Sequence, residues 1–399
     1  MATPSLALIP SGYSYEKVYS VLPSNGDGDF TFDRDSNATR VNKDGLIEEV
    51  SVNVPRLDYS DGSCPSLLLE PSSTNLITYS EDFSDSYWTK SNVSVTSGFS
   101  SPSGNLNAFK LVEDTSTGNH ILRKSGLTTV GTTTTSIYAK AEQRNKILLF
   151  NGVAGYGFDL LNGTAFAAST GIPDSFNITE LTNGWYKCSI THSSANRCSV
   201  YLINDLNSFS YTGDGTSGVC LRGAQVEESS ISSSYIATQG SVATRVAETC
   251  TDAGTSDTFN DSEGVLYVEI SALDDSGHRY ISVNNNDVTN RITIELYPSA
   301  KTLVSRLSTS GVQKAFLVAT NIVKTNMNKI AVRYYLNNFS LWVNGNKISE
   351  DLTDVPIPIG LNSLDFEQGN GSGDFYGNTK QIQYYNSALT DAELQELTS

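Results

Sequence analysis

Residues 329–345 read KIAVRYYLNNFSLWVNG and contain two strand-like runs separated by two asparagines. A two-residue turn at Asn337 and Asn338 would place Leu336 opposite Phe339. Strand alternation then gathers the apolar side chains on one face, namely those of Val332, Tyr334, Leu336, Phe339, Leu341 and Val343. Because a one-residue slip would scatter this set, the pattern predicts a hairpin with one buried face, as in a β-sandwich.

The opposite face of this hairpin combines aromatic and basic side chains, and in the same register Arg333 faces Trp342. A tryptophan beside an arginine on a polar face can stack on a sugar ring. Trp342, Arg333 and Tyr335 are therefore candidate glycan-binding residues. The alternative is that this face packs under a loop or against a neighbouring subunit, because large aromatic side chains serve interfaces as readily as ligands.

The other two tryptophans lie in different sequence contexts. Trp88 follows Tyr87 in a turn-rich stretch, so these two residues are further candidates for an exposed glycan contact. Trp185 lies inside the strand motif WYKCSI, and this position predicts a core residue.

Strand-like runs such as SIYAKAE, VLYVEIS and NRITIELY recur along the chain at the spacing typical of β-sandwiches. We predict a β domain over residues 77–247, a polar linker over 248–261 and a second β domain over 262–399. Residues 1–76 hold short apolar pieces between dense turn signals, and they are predicted to form an extended segment that needs a partner to bury it. The predicted fold class is all-β, with tandem sandwiches. The clearest helix signal is the capping-box pattern in LTDAELQELT near the C terminus.

The charge balance narrows the range of partners. The chain has 399 residues, with 26 basic and 43 acidic side chains, and its formal net charge is −17. Such a surface repels phosphate backbones and anionic lipids, so neither nucleic acid nor membrane is an expected partner. It also favours a glycan that is neutral or bridged by a cation. Five widely spaced cysteines match neither a disulfide framework nor a zinc motif, and buried free thiols are expected.

The sequence lacks the common patterns of hydrolytic active sites. Its three histidines form no HExxH pair, and no GxSxG motif supplies a nucleophile. A glucanase built on a sandwich needs carboxylates that alternate along one strand, in the manner of E-x-D-x-E, and no such run occurs. We therefore expect a protein that is not an enzyme and needs no organic cofactor.

One acidic cluster is a candidate calcium site. Oxygen ligands of the kind that Ca²⁺ prefers occur close together at Asp27, Asp29, Asp33 and Asp35. Their spacing is not that of an EF-hand loop. The alternative is that these carboxylates form Asx-turns and ion pairs with Arg34 and Arg40.

Several motifs resemble those of bacteriophage virion proteins. Residues 30–98, from FTFDRDSNATRVN to KSNVSVTSG, closely resemble a module common in phage fibre and other structural proteins. The motifs TNGWYKCSI and GDGTSGVCLRGAQVEE are similar to the carbohydrate-binding-module-like jelly rolls that follow it. FSLWVNGNKI and FYGNTKQIQYYNSALTDAELQEL resemble laminin-G/concanavalin-A-like lectin domains. The chain departs from this pattern at Cys220-Leu221-Arg222, where the jelly-roll relatives often have an aromatic residue, and in the lectin-like part, which shows no clear calcium-ligand set.

This resemblance implies a virion structural protein at the particle surface, either a head fibre, a tail fibre or a capsid decoration protein. Residues 1–76 would then attach to other virion proteins and form a homotrimer, which would also cover their short apolar pieces. The jelly roll and the lectin-like domain would bind host-surface glycans during host attachment. Two alternatives remain, a purely structural decoration or connector protein and, disfavoured, a glycan depolymerase.

Overall fold

The chain folds into two compact units. The computed structural model describes residues 2–168, 171–274, 277–298 and 301–399. The first unit comprises residues 1–37, 50–71 and 247–399, and the second comprises residues 38–49 and 72–246. Each unit contains two large antiparallel sheets that share an apolar core. The predicted all-β class and tandem sandwiches are therefore confirmed.

The first unit is a sandwich with a third, smaller sheet. Its eight-stranded sheet runs in the order Asn346–Asp351, Asn338–Val343, Asn328–Tyr335, Glu263–Ala272, Gly377–Tyr385, Ser66–Leu69 and Leu57–Asp58, with Leu6–Leu8 also paired to Gly377–Tyr385. The five-stranded sheet runs in the order Val312–Thr320, Thr302–Thr309, Arg291–Leu296, Arg279–Asn284 and Ser363–Asp365. The third sheet contains Tyr13–Ser14, Lys17–Val18, Phe30–Asp33 and Thr249–Thr251.

The N-terminal residues differ from the predicted separate segment. Leu6–Leu8 and Ser66–Leu69 both pair with Gly377–Tyr385, and Phe30–Asp33 pairs with Thr249–Thr251 from the predicted linker. The short apolar pieces therefore lie in the core of the first unit, because its sheets provide the apolar partners that these pieces lack locally. Their burial within one chain removes the reason to invoke a symmetric partner for them.

A buried ionic cluster fixes these distant segments of the first unit. Arg34, Arg56 and Glu248 are fully buried, and Glu70 is nearly so. Glu248 Oε1 accepts hydrogen bonds from Arg34 Nη1 at 2.8 Å and from Arg56 Nε at 2.9 Å. Arg56 Nη1 lies 2.7 Å from Glu70 Oε2. Burial alone would lower the pKa of Arg56, but the charges of Glu248 and Glu70 raise it above its ordinary value, so the arginine stays charged.

The hairpin at residues 328–343 has the predicted faces but a different register. Phe339 pairs with Tyr334 and not with Leu336, and the turn residues are Leu336 and Asn337. The pairing is thus shifted by two residues, and an even shift keeps every side chain on its own face. The first unit's core accordingly includes Val332, Tyr334, Phe339, Leu341 and Val343. Leu336, predicted on that face, is exposed in the turn.

The second unit contains two six-stranded sheets, which we call the open sheet and the covered sheet. The open sheet runs in the order Thr89–Ser91, Ile121–Ser125, Arg197–Ile203, Lys146–Phe150, Gly155–Asp159 and Thr164–Phe166. The covered sheet runs in the order Val93–Phe99, Ala108–Glu113, Gly218–Glu227, Thr133–Ala141, Trp185–His192 and Ser175–Glu180. Shorter pairs are Thr117–Asn119 with Ser210–Thr212, Ser73–Asn75 with Ala243–Arg245, and Ala38–Val41 with Ile47–Val50. A 3₁₀ turn spans Thr182–Gly184.

The predicted capping box is confirmed at the α-helix Asp391–Thr398. Thr390 Oγ1 accepts a hydrogen bond from the Glu393 backbone N–H, and Glu393 accepts one from the Thr390 N–H. No helix in the described part of the chain is long and apolar enough to cross a membrane.

The five cysteines are unpaired, as expected, and four of them are buried while Cys64 is exposed. Burial raises the pKa of Cys198 to about 12, so this thiol stays protonated at neutral pH.

We expect the substitution Glu248→Gln to lower the free energy of unfolding by about 3–5 kcal/mol, because it leaves two buried arginines without their shared carboxylate. Chemical denaturation followed by circular dichroism measures this change. Glu396→Gln, at an exposed position of the C-terminal helix, is the matched control and should change stability by less than about 0.5 kcal/mol. Equal stability of the two variants would contradict a structural role for the cluster.

Candidate glycan-binding face

The two sheets of the second unit differ in what lies on their outer faces. On the covered sheet, the outward side chains of Tyr138 and Trp185 are buried in a cluster that includes Tyr235 and Ile47. Trp185 is thus buried, as predicted. The outer face of the open sheet instead carries half-exposed aromatic and basic side chains. This open face, formed by Phe150, Tyr201, Phe166, Arg123, Arg197 and Lys146, is the candidate site.

Tyr201 is the central ring of the open face. It lies on the strand Arg197–Ile203, opposite Leu148 on one neighbouring strand and Ile121 on the other. The ring centroids of Phe150 and Phe209 lie 6.3 and 6.1 Å from that of Tyr201, both in edge-on geometry. The hydroxyl of Tyr201 has no hydrogen-bond partner among the described residues. A half-exposed ring with edge-on neighbours offers a face and a free polar group to a ligand.

Two glycines let the outer rings lie against the open sheet. Gly157 pairs with Phe166, and a Cβ atom added at Gly157 would approach the Phe166 ring to 2.5 Å. Gly155 pairs with Phe150, and a Cβ atom there would lie 2.8 Å from that ring. Glycine inside a strand often marks a close approach of this kind. The two glycines of GYGFD therefore allow the Phe150 and Phe166 rings to lie close to the sheet.

Basic side chains surround these rings. The Arg197 guanidinium lies over the Phe150 ring at 5.8 Å, and Lys146 Nζ lies over the Phe166 ring at 5.9 Å. Such cation–π contacts hold each charge in place at the surface. Arg123 lies on the next strand, opposite Ser199. Within the described chain, Arg123 has no hydrogen-bond or ion-pair partner through its side chain.

One carboxylate occurs among the outward residues of the open sheet's described strands, that of Asp159. Its oxygens accept hydrogen bonds from the backbone N–H groups of Leu161 and Asn162 and from Asn162 Nδ2. Burial alone would raise the pKa of Asp159, but these hydrogen bonds and the charge of Lys146 lower it below its ordinary value. Asp159 is therefore ionised, and its carboxylate is hydrogen-bonded within its own turn.

The structure contradicts the prediction that Trp342 and Arg333 form an exposed glycan platform. Trp342 is 5% exposed and packs in a cluster with Leu389 and Leu394 at the C-terminal helix. Arg333 Nη1 donates to the Leu389 carbonyl at 2.9 Å and pairs with Asp391 at 2.8 Å. The alternative interpretation, that this face packs under another part of the chain, is the one that the structure supports.

Tyr335 from the same predicted set is 37% exposed and lies at the end of the hairpin. The Arg333 guanidinium lies 5.5 Å from the Tyr335 ring centroid. Because Trp342 lies under the helix, Tyr335 is left without the aromatic partner that the predicted platform requires.

The prediction that Trp88 is exposed is also wrong. Trp88 is 2% exposed in the core of the second unit, where its Nε1 donates to the Tyr79 carbonyl at 2.9 Å. Tyr87 is half-buried, and Lys124 Nζ lies 4.2 Å from its ring centroid. This pair therefore presents no stacking surface.

The four aspartates of the proposed calcium site do not form a metal-binding group in the described part of the chain. Asp29 Oδ1 accepts a hydrogen bond from the Ser20 N–H at 2.9 Å, and Asp27 Oδ2 accepts one from Asn25 Nδ2 at 2.6 Å. Asp33 and Asp35 are exposed. The expected ion pairs differ as well, because Arg34 pairs with Glu248 and Arg40 with Glu48.

A separate cavity of about 380 Å³ lies beside the covered sheet. Its lining includes Glu48, Glu81, Arg222, Tyr138 and Tyr235. Glu81 and Arg222 pair at 2.6 Å, and Glu48 pairs with Arg40. These two carboxylates thus form ion pairs with arginines, and the two tyrosines are buried. The side chains that line the cavity are therefore less exposed than those of the open face.

Sequence reasoning missed the open face, although a signal for it exists. The run RCSVYLI alternates Arg197, Ser199 and Tyr201 on one side of a strand, and GYGFD places two glycines on one side of another. Which strands lie next to each other is not visible locally, so the convergence of these side chains required the structure.

The sequence matches no family model and no curated protein. Among solved structures, a CBM40 domain of a Ruminococcus gnavus IT-sialidase is similar at 19% identity and a TM-score of 0.31, over 35% of this chain and 84% of that one. A leech intramolecular trans-sialidase is similar at 19% identity and a TM-score of 0.30, over 35% of this chain and 23% of that one. A SAP-like pentraxin of Limulus polyphemus is similar at 10% identity and a TM-score of 0.27, over 34% of this chain and 70% of that one. These identities are too low to carry function from one protein to another.

We expect Gly157→Ala to destabilise the second unit by about 1–3 kcal/mol, because the added methyl group overlaps the Phe166 ring. The double variant Gly157→Ala/Phe166→Ala has no ring for the added methyl group to overlap. It should therefore be little less stable than Phe166→Ala alone. Thermal denaturation of the four proteins gives this double-mutant cycle. Additive effects would show that Phe166 does not lie over Gly157.

Proposed function

We propose that this protein is a glycan-binding adhesin and that the open face of its second unit is the binding surface. The observation that carries this proposal is the half-exposed Tyr201 ring on the outer face of the open sheet, with Phe150 and Phe209 as edge-on neighbours. Sugar rings present C–H groups on one side and hydroxyl groups at the edge. An aromatic face with polar and charged groups around it matches both features.

The binding surface has no described group arranged for catalysis. Asp159 is its one strand carboxylate, and that side chain is engaged with its own turn. A glycosidase needs two carboxyl groups about 5–10 Å apart across a bond to be cut. We therefore propose a binding role for this face and not a depolymerase activity.

The wider setting that we propose is the surface of a bacteriophage particle, as the resemblance of residues 30–98 and of the later motifs implies. In this setting the protein is a head fibre, tail fibre or decoration protein that contacts other virion proteins. A weak single site would gain avidity from repetition on the particle. A purely structural decoration role is the alternative, and it would require no glycan binding.

We expect Tyr201→Ala to weaken binding to host-surface polysaccharide by about tenfold, since the loss of one aromatic contact costs about 0.5–1.5 kcal/mol in addition to its buried area. Isothermal titration calorimetry measures the affinity, and circular dichroism checks the fold. Phe316→Ala, at a 40% exposed aromatic position in the first unit, is the matched control and should bind as the unchanged protein does. Equal losses in both variants, or no binding by the unchanged protein at millimolar sugar, would contradict the proposal.

We propose a homotrimer, as the resemblance to phage fibre proteins implies, and we expect light scattering of the full chain to give three times the 43.0 kDa mass of one chain. The full chain is required, because a truncation at residue 77 would remove the strands Leu6–Leu8 and Ser66–Leu69 from the first unit and Ser73–Asn75 from the second. A monomer at all accessible concentrations would contradict a trimer that forms without the particle.

A further inference from the structure

We infer that the ligand of the open face is an acidic sugar whose carboxylate is bound between Arg123 and Arg197. This inference rests on the proposed glycan-binding function and specifies its substrate class. It differs from the expectation based on net charge, which favours a neutral or cation-bridged glycan. The total charge of −17 is an average over the chain and does not describe this face.

The two arginines are neighbours on one side of the open sheet. Arg123 pairs with Ser199, and Arg197 lies two residues before Ser199 on the same strand. Diagonal positions of this kind place Cβ atoms roughly 7–8 Å apart, which long side chains can bridge. Tyr201 lies two residues after Ser199, on the other diagonal from Arg123. Arg123 is therefore diagonally adjacent both to Arg197 and to the Tyr201 ring.

These two cations have no acidic partner within 4 Å in the described chain. This is unusual here, because most other arginines form ion pairs, namely Arg34, Arg40, Arg56, Arg144, Arg222, Arg279, Arg306 and Arg333. Like charges at neighbouring positions of one sheet face are destabilising. An anion placed between them removes that repulsion, and guanidinium forks match the planar geometry of a carboxylate.

A buried hydroxyl group lies at the same place. Ser199 is fully buried, and its Oγ has no hydrogen-bond partner among the described residues. Ser199 lies between Arg123 and Phe150 in a single cross-strand row. The row therefore places on one face a cation without an acidic partner in the described chain and a ring that contacts the second cation.

The test uses the full chain and three immobilised polymers, namely polygalacturonate, its carboxyl-reduced neutral form, and dextran sulfate. We expect polygalacturonate to bind at least tenfold more tightly than its reduced form, and we expect this preference to weaken with rising salt. Arg123→Gln and Arg197→Gln should each lower polygalacturonate affinity by about tenfold to a hundredfold. Each variant should also lose most of the preference for polygalacturonate over the reduced polymer. Lys314→Gln, at an exposed position of the first unit, removes the same charge and is the control.

Thermal denaturation separates ligand binding from a structural role. Because the arginines repel each other, each glutamine variant should be as stable as the unchanged protein or slightly more stable. A large loss of stability in either variant would overturn the inference, since it would show that the arginines serve the fold. Tyr201→Ala should lose binding to both polygalacturonate and its reduced form.

The remaining outcomes distinguish the inference from the function on which it rests. Equal binding of polygalacturonate and its reduced form, both lost in Tyr201→Ala, would overturn the acidic-sugar inference and leave the adhesin function intact. Equal binding of dextran sulfate with the same loss in both arginine variants would overturn carboxylate recognition in favour of simple ion exchange. If polygalacturonate fails to bind while the neutral host polysaccharide of the adhesin test binds, the inference is overturned alone. If no glycan binds, both are overturned.

Discussion

The shared carboxylate of Glu248 is the constraint on which the first unit depends. Arg34 and Glu248 are separated by 214 positions in the chain, and Arg56 joins the same carboxylate to Glu70. A buried ion pair of this kind adds little net stability compared with apolar packing, but a wrong partner would leave a buried charge unpaired. The cluster therefore selects one arrangement of the N-terminal segments beside residues 247–399. The apolar pieces of those segments supply most of the burial energy once they are in place.

The predictions that depended on local periodicity agree with the structure, and those that depended on distant contacts do not. The Thr390 capping box and the faces of the hairpin at residues 328–343 follow from spacing alone. The predicted register of this hairpin is wrong by two residues, because Asn337, with φ of 59°, supports a turn one position earlier than expected. Strand parity survives such an error, which explains how a wrong pairing still gave the correct buried face.

The glycan-binding tryptophans predicted from the sequence were wrong for a related reason. Tryptophan is an obvious candidate for a ligand contact because it is large and rare. Trp88 and Trp342 are nevertheless buried, by residues that the local sequence does not place beside them. The open face is built from commoner residues on four strands, and its signal is spread over Arg123, Phe150 and Tyr201. Only strand order brings these three side chains together. Net charge is likewise an average over the chain, and it does not describe the basic side chains of the open face.

The two sheets of the second unit explain where a ligand can bind. The outward Tyr138 of the covered sheet lies in a small apolar cluster with Tyr235, so that aromatic surface already stabilises the fold. In the described part of the chain, no such cluster covers the outer face of the open sheet, and the Phe150 and Phe166 rings lie close against Gly155 and Gly157. Exposed rings and unpaired arginines reduce stability in the free protein. A protein that keeps both on one sheet face has the features expected of the binding surface that we propose.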